Sequence, residues 1–517
     1  MRVNIPKTEI QPSAQGRAGR WWALAALVIS GLVIGLDSTI LITALPTLSA
    51  KLGATTSDLQ WIAAAYTLTL GGLLLPGGVL GDRYGRKRLL LIGLAIFGVS
   101  SVIASQATTA TELIAMRALM GVGASLILPL SLSILPSLFT AEERPRAISA
   151  TAAGAFLGLP LGPLVAGWLL THYAWGSVFL INAPVVILAL LGVWFLVPEN
   201  KDPHPRAFDW VGGVLAVIGV TALVYGVIEQ PIHGWTDPRV LIGIIGGAIV
   251  LAAFVTWDLR HPSPFVDLSN FRNRGFTWAT MAFVVTGFGL FGVMFILTPY
   301  IQIVLGNDAQ ATGIKLLPLI GGVIVGAGIG NVVAARLGAR VGISAGLALT
   351  AVALVGFSRI GADTSFGPVG AALAVIGIGI GIALPTTLDV ILGTLPPTQT
   401  GAGSALTRAL QQIAATFGVA ILGSILNNVY QAQIGPHVAT LPSGARGAAL
   451  GSIAGAHAVA AHLPGPIRTS VVTAANQAYS QGMADVMLVS AALVLATAIA
   501  IAVFLPSRIT PIEVGEI

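Results

Sequence analysis

The sequence predicts an all-α integral membrane protein: two six-helix bundles with two further transmembrane helices inserted between them, fourteen spans in all. Three observations carry that prediction: composition, the spacing of apolar runs and the placement of basic residues. Of 517 residues, 55% are hydrophobic and only 9% charged, with a mean hydropathy of +0.89. A soluble chain carries about 25% charged residues. Apolar runs of ~20 residues or more mark helices able to cross a bilayer. They fall at 21–48, 57–80, 89–107, 112–135, 146–171 and 177–197, then at 209–229 and 239–258, then at 276–301, 311–335, 342–359, 367–394, 404–428 and 485–506. The chain therefore divides into a tail (1–20), a six-span bundle (21–197), an inserted pair with flanking loops (198–275), a second six-span bundle (276–506) and a C-terminal tail (507–517).

Lysine and arginine accumulate on the cytoplasmic side of membrane proteins. Alternate inter-span segments hold Arg2, Lys7, Arg17 and Arg20, then Arg83, Arg86, Lys87 and Arg88, then Arg144, Arg146, Lys201, Arg206, Arg260, Arg272, Arg274, Arg336, Arg340 and Arg508. The opposite side holds only Lys51, Arg239, Arg359, Arg446 and Arg468. Both termini are thus expected in the cytoplasm, in a multi-pass protein of the cytoplasmic (inner) membrane. The net charge of +6 follows this asymmetry, so nucleic-acid binding is not indicated. The chain has no cysteine, which excludes disulfides and thiolate metal sites. The first apolar run follows a polar, basic segment and is too long for a signal-peptide core, so it reads as a retained anchor.

The longest non-spanning stretch, 429–484, is expected outside. It is rich in Ala and Gly, with LPSG and LPGP breakers at Leu441 and Leu463, and reads as a loop with two short helices around the second breaker. His457 and His462 there are surface residues on this reading. GISAG at 342–346 matches a hydrolase pattern but opens a span where a strand-to-helix turn is required. No phosphate-binding G-x-x-x-x-G-K-[ST] or H-E-x-x-H occurs, and the chain is expected to need no cofactor.

The loop after span 2 reads GVLGDRYGRKRLL. Gly78 and Gly85 allow tight backbone turns. Asp82 can meet an arginine or the positive end of a helix, and Arg83, Arg86 and Lys87 sit where anionic lipid attracts them. Alone, a basic loop is an anchor. The whole pattern resembles the signature loop of the major facilitator superfamily. A decayed copy, NVVAARLGARVG, follows span 10, with Arg336, Gly338 and Arg340 aligned to Arg83, Gly85 and Lys87, and Ala335 in place of Asp82. Such internal repeats place a substrate site near the midplane between the halves.

Charged residues within spans are costly and should face the protein interior. Span 1 holds LDSTILITALP, in which Asp37 is the sole charge between Trp21 and Leu48. Span 4 holds LIAMRALMGVGAS around Arg117. Asp37 lies about 16 Å and Arg117 about 8 Å below the same surface at 1.5 Å per residue, a gap most of which arginine's long side chain spans. The span-1 stretch resembles the motif of fourteen-span drug:proton antiporters, and the span-4 stretch a superfamily motif whose arginine is linked to proton coupling. In the latter Met120 replaces the usual Gln. The pair is either a proton-coupling site or a structural ion pair. Span 5 holds GAFLGLPLGPLVAGWL. Glycine recurs every fourth residue from Gly154 through Gly158 to Gly162, leaving one face bare for close helix approach, and Pro163 is expected to kink the helix. Gly158, Gly162, Pro163 and Gly167 resemble the motif that marks antiporters, with Ala166 replacing one glycine, and that resemblance implies export.

Asp389 near the end of span 12 and Arg408 near the start of span 13 match in depth. They either pair to close an inner gate, or Asp389 attracts cationic substrate. Gln411 and Gln412 supply either polar cavity contacts or interhelical hydrogen bonds, and Tyr66 and Trp61 are candidates to line the cavity, with interfacial anchoring the alternative for Trp61.

These resemblances imply the major facilitator fold and a monomeric, proton-driven exporter of amphipathic cationic or lipophilic compounds working by alternating access. Its partners are those small molecules, protons and membrane lipids. An exporter of an envelope lipid or a secondary metabolite is the nearest rival. A membrane-embedded lipid-modifying enzyme is the rival from another class, but it requires a cluster of acid, base or metal ligands that the sequence lacks.

Overall fold

The computed structural model describes residues 17–140, 143–201, 209–262, 264–266, 268–395 and 400–506. Arg2, Lys7, Arg206 and Arg508 lie outside them. Every regular element among the described residues is helical. A chain crossing hydrocarbon must satisfy its backbone polar groups internally, and a helix does so. The long helical segments are α1 (Arg17–Leu52), α2 (Thr56–Tyr84), α3 (Arg86–Ala104), α4 (Ala110–Leu138), α5 (Arg144–His172), α6 (Ser177–Leu196), α7 (Trp210–His233), α8 (Pro238–Asp258), α9 (Arg274–Val304), α10 (Ala309–Leu337), α11 (Ala339–Phe357), α12 (Phe366–Thr394), α13 (Thr400–Val438) and α14 (Gly465–Phe504). Among the described residues thirteen helices are long and apolar enough to cross a membrane. The 29-residue α5 occupies the position of the expected fifth span. Large apolar side chains left without protein cover, among them Phe195, Ile249 and Val352, suit a lipid surround.

Packing repeats between the halves. In the first, α1 packs on α5 and α6, α4 on α2 and α3, and α3 on α6. In the second, α9 packs on α13 and α14, α12 on α10 and α11, and α11 on α14. First-to-fifth, second-to-fourth and third-to-sixth pairings thus recur, as a duplicated six-helix unit requires. The turn between second and third helices uses a left-handed glycine in both, Gly85 at φ 110° and Gly338 at φ 88°, a backbone region that side chains disfavour. The residue two positions on repeats its role. Lys87 Nζ donates to the Trp194 carbonyl at 2.6 Å near the end of α6, and Arg340 Nη2 donates to the Ala502 carbonyl near the end of α14.

The stretch 429–484 departs from expectation. It is not mainly loop: α13 continues to Val438 and α14 begins at Gly465, with short helices Ser443–Gly451 and Ile453–Ala460 between. The two short helices precede the second breaker instead of flanking it. Hydropathy marks where lipid ends, not where a helix ends, and here buried Tyr430, Ile434, Ala475 and Tyr479 keep both long helices packed beyond the apolar slab. The short pair caps the bundle, with Ser452 Oγ 3.0 Å from Ser49 Oγ and the Gly451 carbonyl accepting from Thr56 Oγ1 at 2.9 Å.

The halves meet toward this capped end, where Gly53 joins α1 to α2. Gln60 Nε2 of α2 donates to the Val419 and Ala420 carbonyls of α13 at 3.1 and 2.9 Å, and the Thr67 and Thr416 hydroxyls lie 2.7 Å apart. The inserted helix α7 covers this seam and touches both halves. Glu229 accepts from Trp61 Nε1 at 3.3 Å on α2, while Asn428 Nδ2 of α13 donates to Gln230 Oε1 at 2.9 Å. Trp61 is therefore tied to the inserted pair.

The orientation read from basic residues is directly testable, because the chain has no native cysteine. A single cysteine at exposed Ser443 is expected to react with an impermeant maleimide applied outside intact cells, and one at exposed Lys201 only after permeabilisation. The opposite pattern overturns the orientation.

Candidate functional site: a buried ion pair and the helix that grips it

Asp37 on α1 and Arg117 on α4 meet inside the first bundle. Arg117 Nη1 lies 2.7 Å from Asp37 Oδ2, and the residues are 0% and 1% exposed for Asp37 and Arg117 respectively. Breaking a buried pair by removing one partner costs roughly 3–5 kcal/mol, because the other charge is stranded. The arginine is held on three further sides. Its Nε donates to the Ile62 carbonyl at 3.3 Å, its Cζ stands 4.2 Å over the Tyr66 ring, and Met120 Sδ lies 4.0 Å from Nη1. Tyr66, a candidate to line a substrate cavity, is instead buried beneath the guanidinium, where its ring face attracts the cation. The second carboxylate oxygen is taken by a residue the sequence reading missed: Asn182 on α6 donates to Asp37 Oδ1 at 3.0 Å.

Helix α5 approaches from the other side of Asp37. It runs parallel to α1, with Gly154 against Val28, Gly158 against Leu32, Gly35 and Leu36, and Gly162 against Thr39 and Ile40. A Cβ placed on Gly158 would sit 2.6 Å from the Gly35 carbonyl carbon, closer than a real Cβ tolerates. The bare face thus lies against the turn that carries Asp37. Past Gly162 the helix, continuous through Pro163, turns a different face to the second half. Gly167 meets Ala309 and Gln310, and Gly313 meets the Pro163 carbonyl. One helix therefore touches both the ion-pair turn and the seam between the halves.

At the opposite end, Arg86 Nη2 pairs with Asp82 Oδ1 at 2.8 Å, and Nη1 donates to the Ser133 carbonyl at 3.0 Å. A second missed residue, Glu199, accepts from the Lys87 and Arg88 amides, both at 3.1 Å. A carboxylate is favoured at a helix N-terminus, so Glu199 ties the end of α6 to the start of α3. Arg83 is exposed beside Tyr84, and Gly78 faces Pro129 of α4.

Asp389 and Arg408 do not form an ion pair among the described residues. Asp389 is exposed and Arg408 half-buried. Matching depth does not fix azimuth, and their helices α12 and α13 touch only slightly. Gln411 packs on Gly287 of α9, while Gln412 Cβ lies against Gly71 of α2 across the seam. Among the described residues no group of three or more His, Cys, Asp or Glu could hold a metal. His457 bonds Asn476 Oδ1 at 2.8 Å.

The family model for the Major Facilitator Superfamily matches residues 27–419. The chain is 34% identical over 490 residues, 93% of this chain and 96% of the relative, to the multidrug efflux pump LfrA of Mycolicibacterium smegmatis. It is 32% identical, over 80% of this chain and 77% of the relative, to the tetracenomycin C resistance and export protein of Streptomyces glaucescens. In fold it is similar to a bacterial homologue of the human lysosomal transporter Spinster, crystallised inward-facing and unoccupied. That likeness has a TM-score of 0.65 at 15% identity and covers 96% of this chain and all of the other.

Proposed function

We propose that this chain, which belongs to the major facilitator superfamily, is a monomeric antiporter of fourteen spans that exports amphipathic cationic or lipophilic compounds across the cytoplasmic membrane in exchange for protons. The observation that carries this reading is the buried Asp37–Arg117 pair, set on the turn that the glycine face of α5 grips. Support for the cargo comes from relatives whose names are those of a multidrug efflux pump and of a tetracenomycin C export protein.

The mechanism follows from which contacts must break. With α2 and α13 joined, α5 abutting α10, and the short helices capping α1, the two halves are sealed at the Gly53 end. Cargo then enters from the Gly85 end, the cytoplasmic one. Asp37 is ionised while Arg117 holds it. Opening the Gly53 end releases cargo and exposes the carboxylate to the outside, where a proton it takes removes the attraction, frees the guanidinium and lets the α1–α5 unit shift back, a shift that α5 transmits to α10. Once the Gly53 end is sealed again, the next cargo displaces that proton to the cytoplasm and restores the pair. A membrane potential contributes ~2.3 kcal/mol per charge moved per 100 mV.

Proteoliposomes with an imposed pH gradient test the reading, with ethidium as a permanent aromatic cation and tetracenomycin C as the probe without a permanent positive charge. Accumulation against the gradient that a protonophore abolishes is the expected result. Flux of neither probe, in protein that moves a fluorescent lipid instead, transfers the assignment to a lipid exporter.

Asp389 is assigned the attraction of cations, since it is exposed near the Gly85 end and free of Arg408. Asp389→Asn is expected to raise the apparent KM for ethidium about five-fold, the effect of one unit charge at about 4 Å in water, and to leave tetracenomycin C unchanged. Equal impairment for both probes, partly restored by exchanging Asp389 and Arg408, would instead establish a gate pair formed in another state.

A further inference from the structure

Asn182 is the only amide side chain in α6, and it is 1% exposed. Both of its N–H groups are used: one on Asp37 Oδ1 and the other on Ser101 Oγ of α3, each at 3.0 Å. The Ser101 hydroxyl hydrogen is itself committed, donating to the Phe179 carbonyl at 2.8 Å. A carbonyl can only accept, so the direction of the whole chain is set. Ser101 must accept from Asn182, which places the NH2 group, and not the amide oxygen, against Asp37.

From this directed chain we infer that Asn182 is a positioning residue of the proton site, reserving Oδ1 of Asp37 so that an arriving proton goes to Oδ2. An O–H on Oδ1 would face an N–H, donor against donor. Oδ2 is the oxygen that Arg117 holds. Proton binding and the ion pair then compete for one atom, and the carboxyl cannot take its proton while the pair persists. Without Asn182 the proton has a second berth on Oδ1, and a protonated Asp37 can keep Arg117. The charged and titratable groups facing Asp37 are Arg117 on α4 and Tyr66 on α2. At this level α3 and α6 bring only Ser101 and Asn182, and α5 meets the turn with Gly158 and Gly162, which carry no side chain.

This inference rests on Asp37 being the proton site, and the test separates the two. The carboxyl C=O infrared band of purified protein is titrated with pH, without any transported compound, and assigned to Asp37 by its loss in Asp37→Asn. Asn182→Leu removes a donor to the ionised carboxylate. It is expected to move the midpoint upward by about one to two pH units and to lower uphill ethidium export. Asn182→Gln should restore part of both. Ser101→Ala, a smaller change that releases the second N–H, should move the midpoint in the same direction by less, and it carries the test if Asn182→Leu does not fold. Wild-type midpoints in Asn182→Leu and Ser101→Ala overturn this inference alone. A titrating carboxyl band that survives intact in Asp37→Asn overturns the proton site itself.

Discussion

Asp37→Asn is expected to yield a folded protein that binds ethidium, releases no proton on binding it, and cannot export it against a gradient. Asparagine keeps one carbonyl oxygen, enough to accept from Arg117 or from Asn182 in place of the two oxygens they use, and it carries no charge and takes up no proton. It therefore holds the site near its protonated form. The substitution leaves Arg117 without its counter-charge, which costs roughly 3–5 kcal/mol when one partner of a buried pair is removed. The loss should fall below that range, because the Ile62 carbonyl and the Tyr66 ring remain. Arg117→Ala is expected to abolish uphill export by the opposite fault. The carboxylate would lose its cation in a fully buried site, where an ionised group is costly, and would keep its proton. The two variants thus share a transport defect and differ in the titration, with the carboxyl band absent in one and persistent to high pH in the other. Substrate-induced proton release, measured on detergent-solubilised protein, decides between coupling and structure. A purely structural pair predicts lowered thermal stability with wild-type proton release per folded molecule, and that result would remove Asp37 as the proton site.

What was legible in the sequence follows from what lipid penalises. A carboxylate and a guanidinium within apolar runs are too costly to be incidental, so Asp37 and Arg117 stand out, and the rise per residue gives their depth. Asn182 did not stand out: a neutral amide is cheaper to bury, and five residues from the start of a span it resembles an interfacial polar residue. Asn182 and its two partners come from three helices, α6, α1 and α3, whose mutual rotation no local pattern encodes. Azimuth was the missing coordinate elsewhere too. Tyr66 points beneath Arg117 and not toward a cavity, and Asp389 stands on an exposed face while Arg408 does not oppose it. Glu199 sits in an ordinary polar stretch after α6, and only the approach of α3 gives it two amides to accept from. Helix ends were legible where a breaker coincides with the edge of the apolar slab, as at Gly85 and Gly338. Where helices α13 and α14 run on into the polar region, hydropathy had nothing to report. Glycine spacing in α5, by contrast, indicates a close contact without indicating the partner, and the structure supplies α1.

Replacing Gly158 with leucine is expected to cost as much transport as replacing Asp37, though through geometry and without touching a charge. The bare face of α5 leaves no room: a Cβ alone would stand 2.6 Å from the Gly35 carbonyl carbon and 2.8 Å from the Leu32 carbonyl oxygen. These are backbone atoms, which cannot rotate aside, so α1 and α5 must separate. Gly162 meets Thr39 Oγ1, and its Cβ would lie 3.0 Å from the Ile40 amide nitrogen, so the same argument holds one turn further on. The backbone being pushed is that of residues 35–40, with Asp37 at its centre. Displacement by about 1 Å is enough to spoil a 2.7 Å contact to Arg117, because hydrogen bonds weaken steeply outside their range. Gly158→Leu and Gly162→Leu should therefore insert and yet leak protons or fail to export. Gly158→Ala should fall between, since a single methyl group requires a smaller shift. Gly328, on α10, has nothing within 4 Å of its Cβ position, so Gly328→Leu serves as a control for added bulk in a spanning helix and should export normally. Proton leak in proteoliposomes carrying a pH-sensitive dye, followed with and without ethidium, reads the outcome. Wild-type coupling in both Gly158→Leu and Gly162→Leu would show that α1 and α5 need not touch for the cycle to run, and would detach the glycine face from the proton site.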